Sequence, residues 1–186
     1  MLKLTVLLLA LLGIAKTGWT REKFNIEVKD GNAIGAILKA DPFTKINDGY
    51  YFFGTESLNW YEAYEKCREL DSELVTFETD QEFDAVTDVL MANGSRQNYW
   101  TSGNDLAKTG THRWFTSGQR ISTFRWARNQ PDNAGQKEHC IHLGYIYGDS
   151  KKFELNDRPC TGDGNSLFKY ICEAPVLETI SIVVWK

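Results

Sequence analysis

No run of lysine or arginine interrupts this 186-residue chain, and its formal net charge is -4. That balance leaves no excess of cations to neutralise phosphates, so nucleic acid is excluded as an expected partner. No two of the four cysteines stand in C-x-x-C spacing, which argues against a structural zinc site. No Gly-x-Ser-x-Gly elbow is present and there are only three histidines, so the chain is not read as an enzyme. Repeats and low-complexity tracts are absent. Beyond the first residues the only apolar run covers residues 180–185, far below the roughly 20 residues of a membrane-spanning helix.

The chain opens on MLKLTVLLLALLGIA, in which one lysine precedes an apolar run that ends at the small residues Gly13 and Ala15. This reads as a secretory signal peptide rather than a short membrane anchor, because the run cannot span a bilayer. The expected organisation is a signal peptide over residues 1–17, an N-terminal arm over 18–41, one domain over 42–174 and a tail over 175–186. Arm and tail lack a heptad seam and are candidate contacts for an oligomer. The mature protein is expected to be secreted and extracellular, without a membrane span, and Asn93-Gly94-Ser95 is then a surface acceptor for N-glycosylation. Export also favours disulfides over free thiols. Cys67, Cys140, Cys160 and Cys172 permit three pairings. A nested one, Cys67 to Cys172 and Cys140 to Cys160, would tie the ends of the domain together and separately clamp the polar loops.

Gly49 to Phe53 (GYYFF) predicts a strand that Gly54 ends. Trp60, Tyr64, Cys67 and Leu70 recur at helical spacing and predict a first helix. A second starts at Thr79-Asp80-Gln81-Glu82, where hydroxyl and carboxylate can cap each other's backbone N–H groups; Phe83, Val86 and Leu90 form its stripe and Asn93-Gly94 stops it. Leu74 to Phe77, Tyr99 to Gly103, Trp114-Phe115, Phe124 to Trp126, Cys140 to Tyr145 and Phe168 to Cys172 are strand candidates separated by polar loops. Two early helices followed by many short strands make an α+β fold.

The chemistry sits in NQPDNAGQKEHC, residues 129–140, which gathers Gln130, Asp132 and Glu138 around Pro131. Asn156-Asp157 supply a second polar loop, and Cys140 and Cys160 flank the segment between. Three carboxylates and two amides are an oxygen set suited to calcium, whereas zinc and copper want nitrogen or sulfur. A cis bond before Pro131 would fold the chain sharply and let Gln130 and Asp132 point the same way.

Gln130-Pro131-Asp132, Glu138, Cys140, Asn156-Asp157, Cys160, Cys172, Cys67 in the first helix and the strand Tyr99 to Gly103 together resemble the C-type lectin domain, from about Pro42 to Glu173. The resemblance implies the C-type lectin fold, with small antiparallel sheets, long calcium-binding loops and the pairing Cys67 to Cys172 and Cys140 to Cys160. It implies a carbohydrate-recognition domain in which one Ca2+ is shared between protein and sugar hydroxyls. Gln130, Asp132, Glu138, Asn156 and Asp157 would be at once metal ligands and carbohydrate-binding residues. Gln-Pro-Asp is the galactose-type motif, Glu-Pro-Asn the mannose-type; exchanging amide and acid exchanges hydrogen-bond donors and acceptors. The expected partners are galactose-terminated glycans or glycoproteins, microbial surface sugars included.

Three departures stand out. Asn133-Ala134 replace the Trp that commonly stacks on galactose; His142, Tyr145 and Tyr147 are the candidate substitutes, each read first as a structural residue. Leu155 replaces the Trp that usually precedes Asn-Asp. His139 and Asn133 stand where members with an auxiliary calcium carry acids, so that second ion is expected to be weak or absent. The rival reading is a lectin-like module that binds a protein or lipid surface without sugar; such members usually lose a calcium ligand, and this chain keeps all five.

Overall fold

Gly54 does not end a strand. In a computed structural model that describes residues 42–123, 125–145 and 152–175, the strand runs straight through it. The expected signal peptide, the N-terminal arm, and the tail beyond Pro175 lie outside the described residues. β1 (Thr44–Ile46) and β2 (Gly49–Leu58) form an antiparallel hairpin whose Asn47 takes a left-handed turn at φ 50°. Asn tolerates that region better than other side chains. A Cβ on Gly54 would stand 2.2 Å from the Tyr170 ring, so glycine is there to admit an aromatic, not to break the strand.

α1 (Trp60–Glu69) starts at Asn59, whose side chain accepts from the Glu62 N–H while the Glu62 carboxylate accepts from the Asn59 N–H, both at 3.0 Å. This complete capping box was not anticipated. α2 (Asp80–Ala92) has only half of the one expected: Thr79 Oγ1 accepts from the Glu82 N–H, but the Glu82 carboxylate accepts instead from the Tyr51 hydroxyl at 2.6 Å and the Glu78 N–H at 3.0 Å. A buried phenol offers a better partner than a solvated backbone amide.

β3 (Glu73–Leu74), β4 (Tyr99–Asn104), β5 (Arg113–Trp114), β6 (Cys140–Tyr145), β7 (Phe153–Arg158) and β8 (Phe168–Glu173) complete the described strands. Their order is β1-β2-β8-β4-β6-β7, with β3 on β8 and β5 on β4. Every pair is antiparallel except β4 with β8. The strand expected over 74–77 is only the two residues of β3. Trp126 makes an isolated bridge to Leu155 rather than a strand, and Phe124 lies outside the described residues.

Two core clusters follow from the patterning. Val86 and Leu90 of α2 pack with Leu143, Phe153 and Ile171; Trp60, Ala63 and Cys67 of α1 pack with Trp100 and Tyr170. Trp100 is fully buried, and its indole N–H donates to the Leu58 carbonyl at 2.8 Å, which satisfies the one polar atom it brings inside. Disulfides Cys67–Cys172 and Cys140–Cys160 join α1 to β8 and β6 to the turn after β7. None of the helices among the described residues is long and apolar enough to cross a membrane.

Where α2, β2 and β8 meet, a cavity of about 330 Å³ has Asp48, Tyr51, Glu78, Glu82 and Glu173 among its lining residues. Oxygens of the three glutamates lie within 4.8 Å of one another. Burial, then the Glu82 carboxylate, pushes Glu173 up to about 8; burial, then the hydrogen bond to Glu82, pushes Glu78 up to about 7. Glu173 starts from 4.5, so the unfolded chain releases its proton first and the fold loses stability as pH rises from 4.5 through 8. Glu173→Gln should therefore be more thermostable than the parent at pH 8.5 by about 2 kcal/mol, an advantage that shrinks towards zero by about pH 4. Melting curves in chelator test this; equal midpoints at pH 8.5 would refute it.

Candidate metal centre

The loop that follows Trp126 runs beside β7, because the Ala127 N–H donates to the Leu155 carbonyl at 2.9 Å and the Leu155 N–H to the Arg125 carbonyl at 2.8 Å. This pairing brings Gln130-Pro131-Asp132 to Asn156-Asp157. The Gln130–Pro131 bond is cis, as expected. Asn156 and Asp157 do not form a loop, however. They lie inside β7, opposite His142 and Ile141 of β6, and are 1% and 0% exposed. Strand pairing with β6 fixes their backbones.

Asp157 reaches across to the loop. Its Oδ1 accepts from the Asp132 N–H at 3.1 Å and its Oδ2 from the Asn133 N–H at 2.7 Å. The chain then turns through left-handed residues, Asn133 at φ 47°, Gly135 at 63° and Gln136 at 58°. Asn133 Oδ1 accepts from the Glu138 N–H at 3.0 Å and closes the turn. Carboxylate oxygens of Asp132, Glu138 and Asp157 come within 4.8 Å of one another. Asp132 is exposed, whereas Glu138 is 5% exposed.

The remaining two residues of the expected set carry the more telling observation. Gln130 Oε1 and Asn156 Oδ1 are buried without a hydrogen-bond partner. An orphaned buried carbonyl costs about 1–3 kcal/mol, and native proteins hold few of them. Two orphaned amide oxygens, on the neighbours in sequence of Pro131 and Asp157, add to three converging carboxylates an oxygen-only donor set, which fits a hard divalent cation of the calcium kind and gives zinc or copper nothing they prefer.

Arg158 was missed by the sequence reading. Its Nη1 donates to Glu138 Oε1 at 2.9 Å, placing a cation against one of the three acids. Burial raises the Glu138 pKa, and the Arg158 bond and charge oppose that rise. The available signal was a basic residue immediately after Asn-Asp.

His142 takes the structural role, not the stacking one. It is fully buried, 4.5 Å from the Phe168 ring and 6.1 Å from Trp100, and burial, then the Arg158 charge, lowers its pKa to about 3. Such a neutral core imidazole cannot face a ligand. Tyr145 ends β6 and Tyr147 lies outside the described residues. Leu155 is fully buried, under the backbone of residues 125–127 to which it hydrogen-bonds. His139 turns towards the end of β4, with Nδ1 2.8 Å from Asp105 Oδ1. Asn93 is the exposed C-cap of α2.

The family model "Lectin C-type domain" matches residues 56–174. C-type lectin 37Da of Drosophila melanogaster is 56% identical over 186 residues, covering 100% of both chains. Lectin subunit alpha of Sarcophaga peregrina is 32% identical over 130 residues, 66% of this chain and 44% of that one. Among solved structures, C-type lectin CEL-I from Cucumaria echinata superposes with a TM-score of 0.61 at 21% identity, covering 73% of this chain and 96% of its own. The cow CD23 C-type carbohydrate-recognition domain gives 0.60 at 23% identity, covering 78% and 100%.

Proposed function

The chain belongs to the C-type lectin domain family, and from that premise we propose that it is a secreted, calcium-dependent lectin for galactose-type terminal sugars. The observation that carries the reading is the convergence of the carboxylates of Asp132, Glu138 and Asp157, supported by the buried, unpartnered oxygens of Gln130 and Asn156. Those five residues would hold Ca2+, and the ion, when bound, supplies coordination positions for two neighbouring sugar hydroxyls. The residues' own part is orientation. Gln130 and Asp132 set which side of the sugar meets an amide donor and which meets an acid, Asn156 and Asp157 anchor the opposite wall, and Arg158 keeps Glu138 aimed. Residues 1–17 would direct export, and Asn93 would carry a glycan on the far side of α2's last turn.

The function is binding, not catalysis, since carboxylates committed to a cation make poor general acids. One exposed site of an extracellular kind binds calcium at about 10⁻⁴–10⁻³ M, so useful avidity towards glycans comes from several sites acting together. A second reading, a module that binds a protein or lipid surface, draws on Asn133-Ala134 standing where a stacking Trp would, with His142 buried. Retention on immobilised galactose in millimolar calcium, reversed by chelator, decides between them; retention that ignores chelator, or none, sinks the galactose reading.

The motif itself is testable. Gln130→Glu combined with Asp132→Asn should turn preference from galactose towards mannose, because the swap reverses donor and acceptor sides while leaving the total charge of the pair unchanged. A glycan array whose ranking does not move would refute the role given to these two residues.

A further inference from the structure

Asp105 is a carboxylate buried to 2% exposure just beyond the end of β4. Its ion-pair partners among the described residues are both imidazoles, His139 Nδ1 at 2.8 Å and His112 Nε2 at 3.7 Å. A carboxylate oxygen only accepts, so the nearer contact is an Nδ1–H donating to Asp105 Oδ1. The other oxygen accepts from the Gly110 N–H at 2.6 Å. Two backbone bonds reinforce the ring: the Asp105 N–H donates to the His139 carbonyl at 3.0 Å, and the His139 N–H donates to the Arg158 carbonyl at 3.2 Å. Residue 139 is thus held between the ends of β4 and β7 by its backbone and its side chain.

Its neighbour in the chain is Glu138. Between Asp132 and Glu138 the loop turns through three left-handed residues outside every strand, so its shape is set at its two ends. The front end is clipped by Asp157 through the Asp132 and Asn133 amides. The rear end has no such carboxylate clip; it is held by the Arg158 guanidinium on the Glu138 side chain, by the pairing of Cys140 with β7, and by His139 on Asp105, the contact that reaches β4. The Glu138 N–H bond to Asn133 joins the two ends but anchors neither to the sheet.

We propose that His139 is a positioning residue of the metal centre, whose ring bond to Asp105 sets where the Glu138 carboxylate stands and thereby the affinity of the loop for a divalent ion. The proposal rests on the calcium reading above. Groups held behind metal ligands matter in this way because a carboxylate displaced by a fraction of an ångström loses coordination without losing the fold.

Two variants of the full mature chain test it. His139→Ala deletes the donor, and His139→Asn restores an N–H at nearly the same place. Titration calorimetry with calcium chloride should show affinity falling about 10-fold or more in His139→Ala and staying within about threefold of the parent in His139→Asn. Hydrogen exchange in chelator, which needs no bound ion, should show the amides of residues 136–138 exchanging faster in His139→Ala and not in His139→Asn. Calcium affinity within about twofold of the parent in His139→Ala, or equal losses in both variants, overturns the proposal while leaving the calcium reading intact. A parent chain that takes up no calcium overturns that reading, and this inference with it.

Discussion

Asp157→Ala is expected to abolish calcium-dependent retention on galactose, with calcium affinity down by about 100-fold or more. The size of the effect comes from two losses at once. The variant removes one of three converging carboxylates, and it frees the amides of Asp132 and Asn133 that Asp157 holds at 3.1 and 2.7 Å. With those bonds gone, the loop that carries the other two carboxylates loses its clip to β7 at Asp132 and Asn133. Asp157→Asn separates the losses: its amide oxygen still accepts from one of the two N–H groups, but its NH2 faces the other as donor to donor. It should fall between parent and alanine variant in calcium titrations. Because Asp157 contributes to no apolar cluster, melting in chelator should move little in the asparagine variant. Calcium affinity within about 10-fold of the parent in the alanine variant would remove Asp157 from the site.

The second large effect concerns the fold. Cys67→Ala with Cys172→Ala opens a crosslink spanning 105 residues, whose loop-closure contribution is about 4–5 kcal/mol, equivalent to a fall of about 10–20 °C in Tm. Both sulfurs lie fully buried beside Leu74 and Trp100, so cavity costs add to the chain entropy. Cys140→Ala with Cys160→Ala opens a bridge of only 20 residues and should cost about 3 kcal/mol. Its expected signature is different, since Cys140 follows His139 and Cys160 closes the turn after β7: calcium affinity should drop more than thermal stability. A smaller Tm loss for the long bridge than for the short one would contradict this assignment.

Much of this architecture was legible in the residues. Spacing of Trp60, Tyr64 and Cys67 located α1, and Thr79 with Phe83, Val86 and Leu90 located α2. The cysteine pairing came with the family resemblance and stands in the structure. What escaped had tertiary causes. Phe153 to Arg158 does not read as a strand, since Glu, Asn, Asp and Arg interrupt it, yet β6 and the loop beside Trp126 pair with it from both sides. Its polar residues are tolerated because partners such as the Asp132 and Asn133 amides and the Glu138 carboxylate come from elsewhere in the chain. Glu82 was assigned to its own helix end because local reading cannot see Tyr51, 31 residues away. Arg158 was passed over for the same reason: only the folded chain brings it to Glu138.

Residues 134–137 are all exposed, while the positions on either side are pinned. Nothing in the core is built on those four side chains, so the segment tolerates replacement or lengthening at little cost to folding. A library randomised there, with Gly135 kept for its left-handed turn, would sample new rims around an unchanged frame.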